Sequence, residues 1–444
     1  MGAESDVARQ VKFTPRPPVA EGLGMPWDVE GGDAVAAISN ARRTLGDTFV
    51  VESGGDEYLF TFSPVGVVSL YALAETTASK GMADFRMLRR KLPDEIFSGR
   101  RTFPHQLFGR DEVTTYLGHL EAVLEEIIAE LGEDGTVELF ALTRRIGHRM
   151  GLASWGGPGA ASGERFERLV AAFDDLDGSE AFVHPDAMAA VKRNGKAVER
   201  AALETIVEEI GGDLTPSSLA GHPRFAMVAD AWSSESSEVA RRGIALDVAL
   251  IHIASMSNLV AALGWAVIDL LEHPDEQEGV RMGDRSLAER CALESTRLAQ
   301  RSIMARFVME PLTFDTGAAV IDVAPGATIA TLLPLTNAAA PGYEAWKPDR
   351  WRRRRLADPT GLEATELVTV FGHGSHTCPA QPFALSVMTM VMTRLTATFD
   401  LDPLWSTRPL PVPAQIGGVA RSETPCEIRY RRRAEPSIAE ITVP

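Results

Sequence analysis

Residues 371 to 380 read FGHGSHTCPA, and the apolar run that follows, QPFALSVMTMVMTRL, has the character of a helix. Pro379 suits the first turn of that helix. A glycine-rich loop ahead of Cys378 and a helix behind it would put the sulfur near free backbone N–H groups and the positive end of a helix dipole. Both favour the thiolate and lower its pKa. Three other readings stand beside this one. A free cysteine is most often a small buried hydrophobe. Zinc would require further ligands at a regular spacing, and His373 and His376 do not make a recognised finger. A nucleophile would require a basic partner elsewhere in the chain. The ten residues alone leave these open.

The chain around them has 444 residues, of which 45% are hydrophobic and 24% charged, the balance of a folded protein. The 44 Lys and Arg against 61 Asp and Glu give a net charge of −17, which argues against nucleic acid or an anionic membrane as a general partner. Three cysteines, Cys291, Cys378 and Cys426, are too few and too scattered for a disulfide framework. They fit a reducing, cytoplasmic setting. The N-terminal segment carries no apolar run of the length a signal peptide or membrane anchor needs, and residues 1–32, rich in Pro and Gly, read as an extended arm.

Structure is expected from residue 33 onward. DTFVVESGGDEYLFTFSP reads as a hairpin about its Gly-Gly-Asp turn. Helical periodicity then covers 112–131, 136–153, 164–175, 197–210 and a long segment from about 236 to 272. FDTGAAVIDVAPGATIATLLPL reads as a second hairpin about its Pro-Gly. The fold class is therefore mainly α, with small β-sheets at either end. RWRRRRL, residues 350–356, is a solvated turn or a docking patch for an acidic partner.

Phe371, Gly374, His376 and Cys378 resemble the heme-binding loop of the cytochrome P450 family, in which the cysteine is the proximal iron ligand. Other motifs follow in order. LESTRLAQR places Glu294 and Arg297 on one helix face, and Pro348 to Trp351 resembles the family's Pro-x-Arg-aromatic segment, making Arg350 the third member of a buried ion cluster. Arg306 stands where the family places an arginine for a heme propionate, and His376 takes the other propionate role. The helix ending at Pro274 is similar to the family's central, distal helix. The resemblance implies a single catalytic domain over 33–444 with the triangular, helical P450 fold, and heme b as cofactor.

The chain also departs from the family pattern. Counting back from Pro274 puts Ser257 and Asn258 where most monooxygenases carry an acid and a threonine. Ser257 can relay protons and Asn258 can hydrogen-bond, but the carboxylate is missing. ASMSNLVAALGW is similar to the helix of the sterol and bile-acid hydroxylases and of prostacyclin synthase. Ala380 replaces a usual Gly, and Val387 a common Glu. His105 and Arg110 in FPHQLFGR offer a third propionate contact at an unusual spacing. The resemblance implies a monooxygenase that takes electrons from a ferredoxin or flavoprotein and acts on an apolar lipid, steroid or terpenoid. The alternatives are a peroxide-rearranging isomerase or dehydratase and a non-catalytic heme protein.

Overall fold

The structure is a computed structural model that describes residues 16–102, 110–178, 180–211 and 219–434. Among the described residues, twelve strands punctuate a helical body: β1 Thr48–Ser53, β2 Asp56–Thr61, β3 Ala78–Ser79, β4 Asp134–Glu138, β5 Ile303–Val308, β6 Leu312–Asp315, β7 Val320–Val323, β8 Thr328–Leu332, β9 Trp351–Arg352, β10 Arg355–Leu356, β11 Phe399–Pro403 and β12 Glu427–Arg432. The N-terminal hairpin forms as its pattern predicts, with Val50 opposite Leu59. It does not stand alone at one end. β2 pairs in parallel with β8, and β5 and β3 complete a five-stranded sheet in the order β1-β2-β8-β5-β3.

Two expectations are corrected by long-range pairing. The turn of the later hairpin is at 316–319, between β6 and β7, where Thr316 Oγ1 accepts from the Ala319 N–H at 3.1 Å. Pro325-Gly326 instead leads into β8, whose five residues are all buried in the large sheet. The helix expected from 136 begins at Leu139, because 134–138 pairs with β12, placing Val137 opposite Ile428. Glu138 then caps the helix by accepting from the Ala141 N–H at 2.6 Å.

The central helix, Ser237–Glu272, is apolar on every side and runs through the body of the protein. It is long and apolar enough to cross a membrane, yet 72% of its most apolar window is buried against the rest of the chain. Its principal partner is the Leu139–Trp155 helix. Gly147 and Gly151 make the approach close: a Cβ at Gly147 would run into the Val260 side chain, and one at Gly151 would lie 2.9 Å from the His252 ring.

Between these two helices lie a pair of stacked imidazoles. His148 Nδ1 and His252 Nε2 are 2.8 Å apart, and the Trp155 indole N–H donates to His252 Nδ1 at 3.2 Å. Trp155 therefore fixes the His252 proton on Nε2, which donates to His148 Nδ1; the proton of His148 sits on Nε2, 3.4 Å from Asp174. A second proton on either ring would set N–H against N–H. Burial pushes both groups down, His252 well below the usual histidine range.

A histidine held neutral in the fold binds fewer protons than in the unfolded chain, so its contribution is complete above about pH 6.5 and is lost as pH falls below that value. The expected slope approaches about 1.4 kcal/mol per pH unit for each ring. Asp247, pushed up to about 6 by burial, contributes with the opposite sign. Comparing denaturant unfolding of native protein and a His252→Leu variant from pH 7.5 to 5.5 cancels the Asp247 effect. The variant should show the shallower acid loss, and equal slopes would refute the neutral pair.

Candidate active site

The ion cluster forms around Glu294, which is fully buried near the C-terminal end of the Arg285–Ala299 helix. Arg297, one turn on, grips it with two bonds of 2.8 Å, Nε to Oε2 and Nη2 to Oε1. Arg350 Nε donates to Oε1 at 3.1 Å. The Trp351 indole and the Lys347 backbone N–H add bonds of 2.9 and 3.0 Å. Arg297 Nη1 donates to the Asn337 carbonyl at 2.8 Å, and Asn337 Oδ1 accepts from the Thr369 N–H at 2.8 Å. This chain of bonds reaches from the cluster to the segment that carries Phe371 and Cys378.

The loop is wound tightly. Gly372 has φ +83°, and a Cβ there would lie 2.5 Å from the His376 carbonyl oxygen. Its N–H donates to Thr369 Oγ1 at 2.7 Å, and the Cys378 N–H donates to the Phe371 carbonyl at 2.7 Å. Gly374 is exposed, Phe371 is half-buried against the main core, and the helix Gln381–Thr398 starts with the apolar run, but its first-turn proline is Pro382, with Pro379 lying ahead of the Ala380 N-cap. Val387 is wholly buried in that helix.

The N–H groups of Ala380 and Gln381 lower the Cys378 thiol pKa, but burial outweighs them and pushes it up. The expected net depression by the helix terminus is corrected accordingly. A metal ion bound at the sulfur would supply the missing positive charge, since a coordinating thiol is deprotonated outright.

Arg306 projects from β5 with its side chain fully buried. Nη1 donates to His376 Nε2 at 2.5 Å, Nη2 donates to the Leu73 carbonyl, and Nε has no partner among the described residues. Its nearest carboxylate there is half-exposed Glu75, at 3.5 Å. Burial, with the adjacent guanidinium, pushes His376 down. A buried cation with an unused donor, beside a neutral imidazole, suits an anionic group such as a propionate. Cys378 offers sulfur to a soft metal.

The central helix meets the same description from its own side. It is buried over most of its length, but Ala254 and Asn258, one turn apart, are exposed, and Ser255 and Ser257 are half-buried. Small and polar residues open the helix at the positions counted back from Pro274. The residues present therefore fit a heme.

Ser257 and Asn258 have different partners. Ser257 Oγ donates to Asp177 Oδ1 at 2.5 Å, whereas Asn258 Oδ1 accepts from the Val419 N–H at 2.8 Å. Trp351 bonds Glu294 as the aromatic of the Pro-x-Arg segment noted in the sequence, whereas Asp177 and Asn337 were not singled out there. His105 lies outside the described residues. Arg110 opens the helix Arg110–Leu131, but its side chain also lies outside what is described.

No family model matches the chain. It is 22% identical to the human 24-hydroxycholesterol 7-alpha-hydroxylase over 96% of this chain and 95% of that protein. It is 20% identical to mouse cytochrome P450 7B1, over 83% of this chain and 81% of that protein. The crystal structure of CYP175A1 from Thermus thermophillus superposes with a TM-score of 0.63 at 20% identity, covering 90% of this chain and 95% of that one. The chain thus has the fold of a cytochrome P450, is similar over most of its length to cytochrome P450 sterol hydroxylases, and bonds a glutamate–arginine cluster through to a cysteine loop as the resemblance in its sequence implies.

Proposed function

We propose that this P450 is a cytoplasmic monooxygenase that inserts one oxygen atom from O2 into a sterol-class substrate. Electrons come from a ferredoxin or flavoprotein donor, and the cofactor is heme b. The observation that carries the substrate class is the end-to-end likeness to a 24-hydroxycholesterol 7-alpha-hydroxylase. When bound, the heme supplies oxygen activation, which a thiolate ligand favours by donating electron density.

The chain's own residues have distinct tasks. Cys378 holds the metal, and Arg306 and His376 hold the cofactor's carboxylates. Phe371 and Gly374 shape the loop that presents the sulfur. Ala254 leaves room on the central helix, and Asn258 holds the 417–420 loop in place through Val419. Ser257 offers a hydroxyl at the proton-delivery position. The donor docks on the exposed arginines of the β9–β10 hairpin, Arg352 to Arg355, of which Arg354 is paired with Glu289.

Reconstitution with a ferredoxin, its reductase and NADPH, supplied with 24- or 25-hydroxycholesterol, tests the reading. A product heavier by one oxygen, labelled from 18O2, is expected. No product, together with no spectral response to either sterol, would overturn the substrate class. Rapid consumption of a fatty-acid hydroperoxide without reductant would point instead to the isomerase chemistry.

A further inference from the structure

We propose that Asp177 is the carboxylate of proton delivery, acting through Ser257, so that the acid absent from the central helix is supplied by a different helix. This rests on the monooxygenase reading above. Asp177 ends the Gly163–Asp177 helix, and its Oδ1 receives the Ser257 hydroxyl at 2.5 Å across 80 residues of sequence. A carboxylate at a helix C-terminus opposes the helix dipole, so helix stability does not account for its position.

Two cations face the other oxygen: Arg144 Nη1 and Arg421 Nη2 lie 3.6 and 3.7 Å from Oδ2. Arg144 also pairs with Asp174, which is half-exposed, and Arg421 is about one-third exposed. The carboxylate thus has one oxygen on the central helix at its open turn and one on a charged, partly hydrated face. A proton relay requires this placement, with one end at the site and the other in contact with solvent.

The reaction consumes O2, a substrate C–H bond, two electrons from the redox donor and two protons, and yields an alcohol and one water. Each proton delivered leaves Ser257 Oγ toward the site and is replaced through Asp177, whose Oδ1 the hydroxyl already contacts and which hands Oγ a proton taken up from solvent. Asp177 is then reprotonated from solvent past Arg144 and Arg421. The hydroxyl and the carboxylate are regenerated at every cycle.

The test uses the heme-loaded protein and the variants Asp177→Asn, Asp177→Glu and Ser257→Ala. In a double-mutant cycle read by denaturant unfolding, Asp177→Asn and Ser257→Ala should be non-additive by about tenfold in the unfolding constant, the coupling of a hydrogen bond to a charged group. Additive effects would remove the bond on which the proposal stands. With 25-hydroxycholesterol, O2 and reductant, Asp177→Asn should lose about a hundredfold in product formation, with reductant diverted to hydrogen peroxide.

Driven instead by iodosylbenzene, which delivers an oxygen atom without electrons or protons, the same variant should match native protein. Asp177→Glu should recover part of the O2-driven rate. Equal losses with both oxidants would mean a structural role, and unchanged O2-driven turnover would mean no role; either overturns the proposal and leaves the monooxygenase reading intact. Native protein inert with both oxidants would overturn that reading, and the proposal with it.

Discussion

Replacing Cys378 with alanine should abolish the red-shifted Soret band of the reduced, carbon-monoxide-bound protein and leave the fold in place. The loop does not depend on the sulfur. Its closing bonds are the Cys378 N–H to the Phe371 carbonyl and the Gly372 N–H to Thr369 Oγ1, and alanine keeps both. The side chain is only partly buried, so the truncation leaves no large cavity in a core.

What disappears is the soft ligand whose electron density gives the spectrum its position. Cys291 provides the control. It is wholly buried and its thiol is pushed up to about 12, the condition of an inert core cysteine. Cys291→Ala should keep the band at full amplitude. If Cys378→Ala retained it, or if well-folded native protein never showed it, the assignment of the ligand would be wrong.

The second large effect is on stability. Glu294→Gln should cost about 3–5 kcal/mol, the penalty for breaking a buried ion pair from one side. Both oxygens are fully used: Oε1 receives Arg297, Arg350 and the Lys347 N–H, and Oε2 receives Arg297 and the Trp351 indole. An amide replaces one acceptor with a donor and leaves two guanidinium groups facing it without countercharge. Arg350 also stacks on the Tyr343 ring at 3.9 Å, so its side chain cannot simply swing into water.

A loss of this size is a large share of the roughly 5–15 kcal/mol typical of a folded protein. Circular-dichroism melting and heme retention on gel filtration check it. A midpoint within a degree or two of native would show that the cluster contributes little.

The parts legible in the sequence were those carried by local spacing. Glu294 and Arg297 share a helix face because they are three residues apart, and Cys378 follows a glycine loop that the chain needs in order to turn under a helix. The central helix announced itself by length and apolarity. Parts that depend on a distant partner were not legible. Residues 136–138 read as helix until β12 arrives to pair with them, and Pro325-Gly326 read as a hairpin turn although β8 belongs between β2 and β5.

Ser257 looked like an alcohol without an acid because Asp177 lies on another helix. No period in the chain relates those two positions. The direction of the Cys378 shift was misjudged for a related reason. The helix terminus is local and visible in sequence, whereas burial is set by everything packed around the loop.

The five-stranded sheet has a consequence for how the protein is made. β1 and β2 leave the ribosome early, but the strand that covers the free edge of β2 is β8, and β8 is in turn held by β5. A hairpin rich in Phe, Val and Tyr therefore waits through synthesis of the whole helical body with an open edge. Arg306 cannot be seated before that sheet closes. Pairings this distant in sequence fold slowly and leave aggregation-prone surface exposed in the meantime. A heme held by Arg306 would thus be loaded only at the last stage of biogenesis, and expression yield should respond to slower growth and chaperone supply more than to heme precursor alone.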